Sequence, residues 1–268
     1  MNSLDFFATH PVFTYDEFLS ARQRSGSTHR GTVTNVLRGH VSAGRILRIK
    51  RGLYASVPPA VSSKEFQPDP YLLSCKLAPD AVVSFHSALQ YRGRVYSLWN
   101  RYQYSTHSRR HRFSFRGAEF VPVMRSLPTD DSENDEEGGE LSERHAGGVV
   151  RVTSFERTLV DLLDAPRHGG GWEEIWRSLE MVEFFDLEAV VRHTLEAASS
   201  LTAMRVGFYL EQHRESLMVD DDLLERLRRR APTSPAYMDR RRRSGRLVKR
   251  WNLVVPHDLL ERRWEEVL

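Results

Sequence analysis

The chain has 268 residues, 40% apolar and 28% charged, with a net charge of +3, which is ample material for one large core or two smaller ones. Its one cysteine, Cys75, excludes an intrachain disulfide and fits a reducing cytoplasm. No apolar run approaches the ~18 residues of a membrane span. The start, MNSLDFFATHPVF, lacks the basic segment and long apolar run of a signal peptide.

Charge is unevenly spread. Residues 1–62 hold eight Lys and Arg against three acids, a surplus of five that exceeds the net charge of the whole chain. A locally basic segment is the electrostatic footprint of nucleic-acid binding.

After a short helix within Met1–Pro11, Pro11 to Gly26 reads as a helix. Thr14 is its cap and Glu17, three residues on, is the capping-box partner. Residues 23–27 make a turn. From Thr28, Val33, Val36, Leu37 and Val41 recur at the spacing of one buried helical face. Half a turn away lie Thr28, Gly31, Asn35, Arg38 and Ser42, and Gly44 suits the left-handed residue that ends a helix. A basic ribbon follows at once. Arg45, Arg48, Lys50 and Arg51 alternate with Ile46, Leu47, Ile49, Leu53 and Tyr54, and Gly52 allows the turn. Such a pair matches a winged helix-turn-helix, in which the helix offers groups to base edges and the wing's cations meet phosphates. An ordinary amphipathic helix beside a solvated hairpin fits the same pattern.

Ser56 to Pro70 carries four prolines and several serines, a linker composition. It places the boundary between a domain of residues 1–62 and a larger one of residues 63–268. The second domain reads as helix Tyr71–Leu77, strand Ala81–Ser84, a helix from Ser84 to Gly93, and two or three strands between Arg101 and Met124. A basic tip, residues 106–112, lies among these strands. Residues 128–143 hold eight acids and no Lys or Arg, so 128–145 is expected as a mobile acidic loop. Val149–Thr153 reads as a strand. Ser154 caps a helix over Phe155–Leu163, and helices follow over Trp172–Val182, Leu187–Ala197, Leu201–His213 and Leu223–Arg229. A strand at Trp251–Val255 and a helix at His257–Trp264 close the chain. The fold class is therefore α+β: an N-terminal winged helix-turn-helix, then a larger, mainly helical α+β domain with a small antiparallel sheet.

Catalytic and metal constellations are absent or incomplete. His168 and Gly169–Gly171 resemble the oxyanion run of some esterases, but no G-x-S-x-G serine exists. His107 and His111 are spaced like a metal pair yet sit among arginines without a third ligand. Glu156, Asp161 and Asp164 lack the lysine and second acid of a nuclease, and an ion-pair set on a helix accounts for them. No enzyme, cofactor or metal is expected.

The segments in succession resemble the AbiEi family of antitoxins, transcriptional regulators of type IV toxin–antitoxin, abortive-infection operons. The likeness rests on Gly44 to Tyr54 (GRILRIKRGLY), Ser84 to Leu89 (SFHSAL), and Glu156 to Pro166 followed by Gly169 to Glu174. Arg205 to Leu210 (RVGFYL) and Trp251 to Pro256 (WNLVVP) complete it. It spans nearly the whole chain in order, apart from the acidic insertion. It implies a repressor that binds inverted repeats in its own promoter and a C-terminal domain that counteracts a nucleotidyltransferase-type toxin without a stable complex.

Expected DNA contacts are Thr28, His29, Arg30, Thr32, Asn35 and Arg38 to bases, and Arg45, Arg48, Lys50 and Arg51 to phosphates. A second candidate nucleic-acid surface comprises Arg109, Arg110, Arg112, Arg240, Arg241, Arg242, Arg243, Arg246 and Lys249. A repressor without a toxin partner, and a C-terminal module that sequesters a toxin directly, are the rival readings.

Overall fold

The computed structural model describes residues 2–24, 26, 30–125, 138–197, 199–239 and 244–262. The fold is α+β and divides into two compact units that alternate along the chain. Among the described residues, no helix is long and apolar enough to cross a membrane.

The first unit comprises Met1–Val83, Asn100–Ser126 and Ser142–Val152. It opens with helix α1 (Ser3–Thr9), strand β1 (Val12–Thr14), helices α2 (Tyr15–Arg24) and α3 (Arg30–Ser42), and strands β2 (Ile46–Lys50) and β3 (Leu53–Ser56). The strands form an antiparallel sheet in the order β1-β3-β2. Phe6, Phe7, Phe13 and Phe18 build its core with Leu19, Val33, Leu37 and Ile46. The rings of Phe13 and Phe18 both lie 5.1 Å from Phe6, edge to face. Full burial of one such ring contributes roughly 1.5–3 kcal/mol, so four of them stabilise a body this small without a disulfide.

Strand β1 falls where a helix was expected to begin. Val12, Phe13 and Thr14 pair with Ala55, Tyr54 and Leu53, so the partner that extends them lies some forty residues away in sequence. The capping box forms as expected one turn later. Glu17 accepts from the Thr14 N–H at 2.7 Å, and the Thr14 hydroxyl accepts from the Glu17 N–H at 3.2 Å.

Glu17 also pairs with Lys76. Burial acts to raise the Glu17 carboxyl, but Lys76 and the Thr14 donors outweigh it and hold the group below its ordinary 4.5. A carboxylate with a depressed folded-state pKa stabilises fully above its unfolded value. That contribution is lost as pH falls through the lowered folded value. Glu17→Gln is thus expected to lower the melting temperature near neutrality, with the gap to wild type closing as the pH drops below about 4.5. A gap that persists at acid pH would assign the effect to something other than the charge.

The proline- and serine-rich stretch lies inside this unit, which differs from the boundary expected at residues 62–63. Its backbone is held from elsewhere in the unit. Arg116 donates to the Ser63 carbonyl at 2.7 Å and to that of Phe66. Asp69 caps helix α4 (Pro70–Cys75), accepting from Tyr71 and Leu72, and meets His145 Nε2 at 2.7 Å. Composition marks where a chain lacks regular structure, not whether other side chains pin it.

The unit's second sheet has six strands in the order β6-β7-β5-β4-β9-β8. These are β4 (Val82–Val83), β5 (Arg101–Thr106), β6 (Phe113–Phe115), β7 (Ala118–Met124), β8 (Glu140–His145) and β9 (Gly148–Thr153). The sheet is mixed: β5 runs parallel to β7 and β4 parallel to β9, while β4/β5 and β6/β7 are antiparallel. Strand β8 occupies residues expected in the acidic loop. Its charged sequence, ELSERH, suits an edge strand, which charge protects from pairing with other chains. Residues 128–137 of that loop lie outside the described residues.

The second unit comprises Ser84–Trp99, Leu127–Leu141 and Thr153–Leu268. Its helices are α5 (His86–Tyr91), α6 (Phe155–Asp164), α7 (Trp172–Glu180), α8 (Leu187–Ala197), α9 (Ser200–Gln212), α10 (Asp221–Arg228) and α11 (His257–Glu261). Ser154 caps α6, accepting from Arg157 N–H. Ser199 caps α9, accepting from the Thr202 N–H, and the Thr202 hydroxyl in its first turn donates to Asp164. Helix α9 is buried from Thr202 to Leu210, with α6, α8 and α10 around it. A small sheet, β10 (Ala236–Tyr237), β12 (Leu253–Pro256) and β11 (Gly245–Val248), completes the unit.

Candidate nucleic-acid interface

Helix α3 turns Val33 and Leu37 into the core, each 1% exposed, with Val36 and Val41 packed at its margin. The opposite stripe, Gly31, Thr32, Thr34, Asn35, Arg38 and Ser42, is exposed. Arg38 Nη1 donates to Asn35 Oδ1 at 3.3 Å, one helical turn apart. Two of the six expected base-reading side chains are thus neighbours on the open face. Thr34 shares this stripe and was missed, although its place four residues before Arg38 could have found it. Thr28 and His29 lie outside the described residues, as does the side chain of Arg30.

The helix ends as Gly44 predicts. Gly44, at φ +69°, donates to Val41 and Arg45 donates to His40, both at 3.0 Å, the bond pair of a Schellman cap. The hairpin therefore starts at Ile46, with only three residues between it and the end of the helix. A bulge between Arg48 and Lys50 inserts Ile49, so Ile46 and Ile49, three apart, are both buried. A regular strand would send them to opposite faces. At the tip, Gly52 takes φ +76° and its carbonyl accepts from Tyr15 N–H at 2.8 Å, tying the hairpin to the start of α2.

Arg45, Arg48 and Arg51 are exposed, whereas Lys50 is half-buried. Its ammonium stands 5.4 Å from the centroid of the Phe113 ring on β6. Burial, and then the charge of Arg110, hold the Lys50 amine below the ordinary lysine range. Arg109, Arg110 and Arg112 are exposed on the β5–β6 loop, and Arg112 reaches Glu119 at 3.4 Å. Arg246 and Lys249 are exposed in the second unit, and Arg240–Arg243 lie outside the described residues. The expected second surface therefore has its two cationic stretches in different compact units.

The motifs of the second unit serve packing. His86 is 1% exposed, stacks on Trp99 at 3.6 Å and meets Glu174 at 3.1 Å. Burial holds its imidazole below the ordinary range despite that carboxylate. Gly170, at φ +82°, lies so close to Trp99 that a Cβ there would stand 2.6 Å from the ring. The glycine run is a tight loop into α7. Asp161 pairs with Arg157 at 2.9 Å and Glu156 accepts from Asp186 N–H at 3.1 Å, so these carboxylates are spent on separate structural contacts. Among the described residues no cluster of three His, Cys, Asp or Glu is placed to hold a metal ion.

Arg205 crosses the core of the same unit. It donates to the carbonyls of Leu163, Asp164 and Met238 at 2.9, 3.1 and 2.7 Å. Two residues on, Gly207 leaves room for the Trp251 ring, whose nearest atom would be 2.2 Å from an added Cβ. Trp251 in turn donates to Glu211 at 2.6 Å. The closing motifs at 205–210 and 251–256 are thus halves of one packing arrangement.

No protein-family model and no curated protein matches the chain. Among solved structures, the RV2827C protein from Mycobacterium tuberculosis is similar over 98% of this chain and 93% of its own, with a TM-score of 0.65 and 17% identity. The likeness is one of fold. It extends through both units, so the interleaved architecture is shared with that protein as a whole.

Proposed function

We propose that the chain is a cytoplasmic, DNA-binding antitoxin of a type IV toxin–antitoxin system that represses its own operon and is not an enzyme. Its N-terminal body acts as a winged helix-turn-helix: α3 reads base edges in the major groove and the β2–β3 hairpin meets phosphates. The observation that carries this reading is the exposed Asn35–Arg38 pair beside a hairpin with three open arginines. The element order of residues 3–56 and the motif succession support it. The partner toxin, of nucleotidyltransferase type, rests on the resemblance alone.

A salt-series gel shift on promoter and random duplexes is the test. Wild type is expected to prefer promoter DNA with inverted repeats, and no preference at any salt would remove the reading. Lys50→Ala is expected to weaken promoter and random binding alike and to make the log K against log salt slope shallower by about one. For the toxin, co-expression with a nucleotidyltransferase encoded beside this gene is expected to restore growth, and failure to do so would leave a plain repressor.

A further inference from the structure

The placement of Lys50 joins two features that are far apart in the chain. Phe113, under its ammonium, directly follows the β5–β6 loop, and both belong to the first unit. We propose that the wing and residues 107–112 form a single phosphate-binding surface, on which a DNA duplex runs past the wing onto the β5–β6 loop. This rests on the DNA-binding reading and extends its footprint.

The loop is built to present charge. Asp80 holds its base, accepting from the Thr106 hydroxyl at 2.7 Å and the His107 N–H at 2.6 Å. Glu119 engages Arg101 at 3.0 Å and Arg112 at 3.4 Å. Neither acid pairs with Arg109 or Arg110, and these two make no ion pair among the described residues. Both are exposed, with His111 between them and Arg112. Arg110 adds to burial in holding the Lys50 amine low, so the two cations are near enough to repel. Gathering cations without counter-charges is unfavourable for the protein alone, and a polyanion relieves it. A duplex presents one charge per about 1.7 Å of its axis, so a strand leaving Arg48 and Arg51 supplies further phosphates to the loop.

The double variant Arg109→Ala/Arg110→Ala decides the matter, with melting temperature as a control on folding. Its salt slope on the promoter duplex is expected to be shallower than wild type by about two. The ratio of promoter to random affinity should stay unchanged, and the hydroxyl-radical footprint should shorten on the wing side. Arg109→Lys/Arg110→Lys is expected to restore the slope, since phosphate contact needs charge rather than guanidinium geometry. Equal slopes and footprints for wild type and the alanine variant would overturn the shared surface while leaving the wing and α3 intact. A wild type without promoter preference would instead sink the regulator reading, and the same slope comparison on random duplex would still decide the surface.

Discussion

Arg38→Ala is expected to lower promoter affinity about 10- to 100-fold while costing random DNA far less, because a good side-chain-to-base pair is worth about 1–3 kcal/mol of discrimination. Arg38 is exposed on α3, away from Val33 and Leu37, so the change removes no core contact. Among the described residues, Arg38 donates to Asn35 Oδ1 at 3.3 Å. That bond limits the guanidinium's freedom before DNA arrives, which lowers the entropic cost of aiming it. Asn35→Ala should therefore weaken promoter binding through two routes, its own base contact and the loosening of Arg38. Binding isotherms on promoter and random duplexes at one salt concentration test both. An Arg38→Ala protein that loses promoter and random affinity by the same factor would demote Arg38 to a phosphate contact. Base readout would then pass to Asn35, Thr34 or residues before the helix.

Gly207→Ala is expected to destabilise the second unit by about 1–3 kcal/mol, the usual cost of overpacking a filled core. Alanine is otherwise the better helix residue by about 0.8–1.0 kcal/mol, so propensity alone predicts the opposite sign. The sign is decided by Trp251: its ring atoms would stand 2.2, 2.3 and 2.7 Å from the new Cβ, and Trp251 itself is 0% exposed. The clash is with a rigid ring anchored by its bond to Glu211, so it cannot be relieved by a flexible tip. Trp251→Ala alone should cost about 3–5 kcal/mol. In that background, Gly207→Ala should turn from destabilising to neutral or stabilising, because only propensity is left. Chemical denaturation of the four proteins reads the coupling. Equal costs of Gly207→Ala in both backgrounds would show that the ring is not what the glycine accommodates.

Legibility followed the range of the interactions. The inward face of α3, the Schellman glycine, the Thr14–Glu17 box and the Ser154 cap were all readable, since each depends on atoms within about one helical turn. Strands β5, β6 and β7 were readable from alternation, but their order was not: β5 beside β7 in parallel, with β6 on the edge, depends on pairings across the sheet. Strand β1 was missed because Phe13 and its neighbours fit a helix start equally well until β3 is present. The Pro-rich stretch misplaced the boundary because its anchors, Arg116 and His145, come from later in the chain. For the candidate interface, exposure of Asn35 and Arg38 followed from the helix period. The partial cover of Lys50 by Phe113 did not.

By itself, the amino-acid sequence determined most of the helices, the Thr14–Glu17 box, the Ser154 cap, the Gly44 end and which side of α3 faces water, because hydrogen bonds and side-chain contacts within three or four residues settle those. Only the tertiary structure decided that β1 completes the first sheet, that Trp251 sits on Gly207, and that Lys50 of the hairpin lies over Phe113 of β6. Those contacts join residues about 40 to 60 apart in the chain, and their free energy exists only once distant segments share one core.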